Sequence, residues 1–122
     1  MQLLNDTNLL IEECQHSLER FQEMRRLDRD PDFFEEVKPH ADNIHALIKV
    51  WQQSANLWIQ KNKPKNLYAQ QIDHAADAME QFVVQSFYKG TSKKRFVQSI
   101  QSVQYTLTIV KRKLEEGDAD AK

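Results

Sequence analysis

The sequence predicts an all-α protein folded as an antiparallel up-and-down four-helix bundle with a left-handed twist. Three observations predict it. Apolar residues recur every three or four positions in four separate stretches. The connections between those stretches are only a few residues long, which forces antiparallel neighbours. Helix breakers are scarce, with 2 Gly and 3 Pro in 122 residues. The abundant Gln, Glu, Lys, Leu and Ala lose little rotamer freedom in a helix. No stretch alternates with period two, so no strand is expected. The twist follows from an apolar period close to 3.5 residues.

The first helix is expected over about Asp6–Leu27, with Asp6 or Thr7 as its cap. Its seam is Leu4, Ile11, Cys14, Leu18 and Phe21, flanked by Leu10 and Met24. The second opens at Asp30-Pro31, where a missing N–H does no harm. Its stripe runs Val37, Ala41, Ile44, Ile48, Trp51, Ala55 and Trp58. Pro39 lies inside that stripe, which keeps its phase, so one kinked helix is expected. The alternative is a short turn at 31–37 followed by a helix starting at Pro39.

Lys61-Asn-Lys-Pro-Lys65 reads as a loop. The third helix is expected over about Asn66–Tyr88, with Tyr68, Ile72, Ala75, Met79, Phe82 and Ser86 inward and Gly90 as a left-handed C-cap. Thr91 or Ser92 caps the fourth, whose stripe is Phe96, Ile100, Val103, Leu107, Val110 and Leu114. Gly117 is expected to end it. Residues 1–116 are thus read as one domain and 117–122 as a disordered tail.

Net charge is −1, which leaves no polyanion-binding signature, and no nucleic-acid partner is expected. Cys14 is the single cysteine, so no internal disulfide forms, and its seam position marks it as a small core hydrophobe. No apolar run is long enough for a membrane span, and the N-terminus does not read as a signal peptide. A cytoplasmic location is expected, with a monomer slightly favoured over a homodimer.

Charge changes sign along the chain: residues 1–30 carry −3, 31–60 carry −2, 61–90 carry +1 and 91–122 carry +3. Lys93-Lys94-Arg95 sits in the first turn of the fourth helix, where the dipole disfavours cations. Arg25 and Arg26 end the first helix at the same pole, together with Arg29. These cations are the candidate contact for an anion or an acidic partner. The competing reading is that Asp28, Asp30, Asp32, Glu35 and Glu36 neutralise them, in which case reversing the charges would destabilise the fold.

Two acid-x-x-His steps, Glu13–His16 and Asp42–His45, place a carboxylate and an imidazole on one helix face, the spacing that di-iron bundles use. Asp77 falls at about the same height on the third helix, near Asp73, His74 and Glu80. These residues define the alternative of a metal-binding bundle. Against it, Glu13, His16 and His45 flank the apolar seams, and the fourth helix offers only Gln101, Ser102, Gln104 and Tyr105 at that height.

No serine lies in a nucleophile elbow, and two glycines build no phosphate-cradling loop. No catalytic residue and no cofactor are expected. Trp51 and Trp58, one heptad apart, read as core. With Met79 they would line a small-molecule site for which the sequence supplies no polar anchor.

The length, the four helices and the stretch Phe87-Tyr-Lys-Gly-Thr-Ser-Lys-Lys-Arg-Phe96 resemble the YppE-like family of small bacterial proteins. The resemblance spans essentially the whole chain. It implies an up-and-down four-helix bundle in the cytoplasm of a spore-forming Gram-positive bacterium, and it brings no activity and no functional residues with it. The leading functional reading is a non-enzymatic binding or adaptor protein that holds a protein partner on a face or pole of the bundle.

Overall fold

The computed structural model of the chain describes residues 1–120, and side chains as far as Gly117. Four α-helices form, α1 (Gln2–Leu27), α2 (Lys38–Asn62), α3 (Ala69–Gln85) and α4 (Lys93–Asp120), with a single π-helical turn at Phe33–Val37. No strand occurs among the described residues. α1 packs on α2 and α4, and α3 packs on the same two helices from the other side.

α1 begins at Gln2, so neither Asp6 nor Thr7 caps it; both are buried inside it. The inward seam is Leu3, Thr7, Leu10, Cys14, Ser17, Phe21 and Met24, stepping by four and three throughout. Leu4, Ile11 and Leu18, expected on the seam, are half-buried at its edge. Thr7 and Ser17 occupy inward positions because their hydroxyls find partners. Thr7 Oγ1 donates to the Leu3 carbonyl at 2.7 Å and accepts the Trp51 indole N–H at 3.0 Å. That bond satisfies the polar atom of the largest fully buried side chain.

Pro39 does not kink a continuous helix. Val37 N–H donates to the Asp32 carbonyl five residues back, at 3.3 Å, and Lys38 N–H donates to Phe33 O. The wider turn ends where α2 starts, which puts Pro39 in the first turn of α2. The wider turn, which runs directly into α2, is the distortion that lets helical backbone pass through a residue with a bulky ring and no N–H. This is close to the turn-then-helix alternative. Asp32 caps the turn, accepting Glu35 N–H at 3.0 Å.

α3 is shorter than expected. Tyr68 is its N-cap and is 62% exposed, while Leu67 takes the buried place before it. Gly90 has no left-handed backbone, and α3 closes at Ser86 in the right-handed region. Left-handed caps occur instead at Asp28 after α1 (φ 52°) and Lys63 after α2 (φ 48°). All six stripe residues of α4 are buried. α4 continues through Gly117 to Asp120, so Gly117 does not end it; residues 121 and 122 of the expected tail lie outside the described residues. Phe96 stacks on Phe21, with centroids 4.1 Å apart, and meets Phe82 edge-on, which binds α4 to α1 and α3.

Candidate functional site

Glu13 lies beside the Cys14 seam yet is only 5% exposed. Its burial is tolerable because its Oε2 is surrounded by donors. Ser17 Oγ donates to it at 3.1 Å, Arg20 Nη1 lies at 3.4 Å and His40 Nε2 at 2.9 Å. Ser17 and Arg20 follow Glu13 by four and seven residues, on the same face of α1. Arg20 also donates from Nη1 to Ser86 Oγ at 2.9 Å and lies over the Phe87 ring, 4.6 Å from its centroid. Ser86 is fully buried and passes its own proton to Val83 O at 2.6 Å.

His40 Nε2 is 3.2 Å from Arg20 Nη2 as well as 2.9 Å from Glu13. One ring nitrogen cannot both donate and accept. The carboxylate has no proton to give, so the consistent assignment is Nε2–H donating to Glu13. The cluster ties the start of α2 and the end of α3 to the middle of α1. Glu13, Arg20 and His40 do not line the surface grooves at Trp58, at Arg112 or at His74. Its chemistry is that of an internal tether.

Sequence reasoning passed over Arg20 and His40, and placed Ser86 inward without a partner. The available signal was the Glu13–Ser17–Arg20 spacing.

The candidate metal ligands are not brought together. His16 and Asp77 are exposed. Asp42 pairs with Lys38 at 2.7 Å, and His45 donates to the Glu80 carbonyl at 3.0 Å. Asp73 accepts from Gln52 at 2.8 Å and Asn56 at 3.1 Å, which tethers α2 to α3 and holds its carboxyl below the usual range. No three His, Cys, Asp or Glu side chains converge as a metal site among the described residues. The Cys14 thiol is fully buried, and burial with Glu13 beside it pushes its pKa up to about 12.

The charged pole is where α1 and α3 end and α2 and α4 begin. Arg25 donates to the Thr91 carbonyl at 3.2 Å and sits over the Phe21 ring. Arg26 is held by Glu23. Asp28 pairs with Lys89 at 2.9 Å and Glu36 with Arg29 at 2.7 Å. Of the acids expected to neutralise Lys93, Lys94 and Arg95, Asp28 and Glu36 thus pair elsewhere and Asp32 caps the π-helical turn. No ion pair among the described residues reaches those three exposed cations. Ser92 is the cap residue of α4, its hydroxyl a long 3.5 Å from Arg95 N. Phe33 and Phe34, which the sequence reading left unassigned, stand out at this pole 48% and 75% exposed, edge to face with centroids 5.3 Å apart.

The opposite pole holds a groove of about 440 Å³ lined by Trp58, Lys65, Lys113, Glu116 and Gly117. Trp51 is sealed in the core, as expected, and so is Met79, so neither lines a pocket with Trp58. No helix among the described residues is long and apolar enough to cross a membrane.

The family model described as a bacterial domain of unknown function, DUF1798, matches residues 7–114. The uncharacterized protein YppE of Bacillus subtilis (strain 168) is 32% identical over 117 residues, 96% of this chain and 95% of that protein. The X-ray structure of that protein has a TM-score of 0.92 to this one at 32% identity, covering 97% of this chain and 96% of that chain. A protein of unknown function from Listeria innocua also has a TM-score of 0.92, at 26% identity, covering 98% of this chain and 95% of the other. These relatives carry no stated activity, and none can be assigned from them. The buried stripes, the four-helix architecture and the match over most of the sequence agree, and the chain belongs to this bacterial family of unknown function.

Proposed function

We propose that the protein is a cytoplasmic, monomeric, non-enzymatic binding protein that holds an acidic protein segment at the pole bearing Phe33, Phe34 and the start of α4. The observation that carries this reading is the presence at one pole of two exposed aromatic rings and of three exposed cations that no acid pairs with among the described residues. Lys93, Lys94 and Arg95 face the positive end of the α4 dipole, so their placement works against the helix. Neighbouring aromatic rings in water are likewise of no use to the fold, while such rings supply large contact area to an interface at low entropic cost. Cations at the same pole would steer and select an acidic partner. The turn that presents the rings is braced by Arg29–Glu36 and the Asp32 cap, so the surface is largely preformed.

The test is quantitative capture from lysate of a bacterium carrying the protein. Wild type is compared with Phe33→Ala/Phe34→Ala and with Lys93→Glu/Lys94→Glu/Arg95→Glu, each shown by thermal melt to be folded. A specific acidic protein should be retained by wild type, lost by both variants, and released as salt rises. Equal capture by all three would overturn the reading.

A further inference from the structure

The groove at the other pole has a different character. Trp58, half-buried, forms its wall. Lys65 reaches it from the α2–α3 loop and Lys113 from α4, and neither takes part in an ion pair among the described residues. Glu116 stands one helical turn from Lys113, and Arg112 lines an adjoining hollow that shares both of those residues.

Gly117 is the telling position. It lies inside α4, where glycine is less stable than alanine. A Cβ there would sit 3.4 Å from Cζ2 of Trp58, an ordinary contact. Packing therefore does not demand a glycine at this site. Its effect is that the residue places no side chain of its own between the groove and that edge of the indole.

We propose that this groove binds a mononucleotide, with its base against Trp58 and its phosphate between Lys65 and Lys113. An indole offers a stacking face to any base, two lysines act as point charges for a phosphate, and the Glu116 carboxylate accepts from a sugar hydroxyl, as acidic residues do in dinucleotide sites. The groove's volume lies within the range of small-ligand pockets. The structure thereby supplies the polar anchor that the sequence reading of Trp58 lacked.

The full chain is titrated with AMP, and separately with adenosine and with inorganic phosphate, by tryptophan emission and calorimetry. Trp51 is fully buried, so the emission response reports Trp58. AMP should bind saturably below about 1 mM, with adenosine and phosphate each at least about tenfold weaker. Lys65→Glu/Lys113→Glu should weaken AMP by at least about tenfold. Gly117→Leu should abolish binding without lowering the melting temperature, since leucine is the better helix former. Absence of saturable AMP binding would overturn the proposal. So would AMP binding that survives both sets of changes, or phosphate binding as tightly as AMP, which marks an adventitious anion patch. The groove is remote from the aromatic pole, so its failure leaves the protein-partner reading standing.

Discussion

Replacing Glu13 with Gln removes one charge and almost no volume from the interior. Its Oε2 lies 3.1 Å from Ser17 Oγ, 3.4 Å from Arg20 Nη1 and 2.9 Å from His40 Nε2. Losing one partner of a buried ion pair typically costs about 3–5 kcal/mol, because the other charge is left uncompensated. Here the remaining charge is less exposed to that penalty. The Arg20 side chain keeps 20% of its surface in water, its ion-pair distance is long, and it retains Ser86 and the Phe87 face. The expected loss is therefore about 2–3 kcal/mol, below the range for a fully buried pair. Urea unfolding at pH 7 measures it, and a double-mutant cycle with Arg20→Met isolates the pair. The double variant Glu13→Gln/Arg20→Met should lose less than the sum of the two single variants. A loss under about 1 kcal/mol for Glu13→Gln, or strictly additive losses, would refute the tether.

Ile48→Ala, Phe82→Ala and Leu107→Ala each empty a fully buried stripe position and should each cost about 2–5 kcal/mol in urea melts. Cys14, fully buried with its pKa raised to about 12, should resist a thiol reagent at pH 8 in the native protein and react fully once unfolded. Glu36 is held down to about 2 by the Arg29 guanidinium and the Asp32 N–H, against an ordinary 4.5. A depressed carboxylate stabilises the fold above its unfolded pKa, and the contribution is lost as pH falls from about 4.5 towards 2; Glu36→Gln should flatten that part of the pH–stability curve. For Lys93→Glu/Lys94→Glu/Arg95→Glu, the absence of ion pairs to these side chains reverses the sign expected from composition, and the triple variant should melt higher than wild type, by about 0.3 kcal/mol or more per residue.

Much of the fold was legible because α2, α3 and α4 carry apolar stripes that nothing interrupts. α1 was read correctly at Cys14 and Phe21 and one position off at Leu4, Ile11 and Leu18. Its true seam contains Thr7 and Ser17, and the sequence shows only that these are polar, not that Leu3 O and Glu13 wait to bond them. The same blindness hid the tether, since pairing Glu13 with His40 and Ser86 requires knowing how α1, α2 and α3 lie together. Pro39 was ambiguous because an unbroken apolar phase is compatible with a kink or with a wide turn. The closing residues misled for a related reason: glycine is the favoured left-handed cap, yet Asp28 and Lys63 adopt that conformation while Gly90 does not.

Several positions that violate local rules lie at the two ends of the bundle, while others, such as exposed Val50 and Tyr105, lie along the helices between. Cations at the start of α4 and bare phenylalanines at 33 and 34 lie at one end, and a glycine inside α4 lies at the other. Between them the seams are filled, Trp51 has its hydrogen bond and the buried Glu13 has its donors. Each end position could be replaced by a residue the helix or the solvent would favour, and none of them belongs to the buried core. Sequences drift towards such substitutions when stability alone is at stake, so these local costs at the two ends are what the proposed recognition there would leave behind.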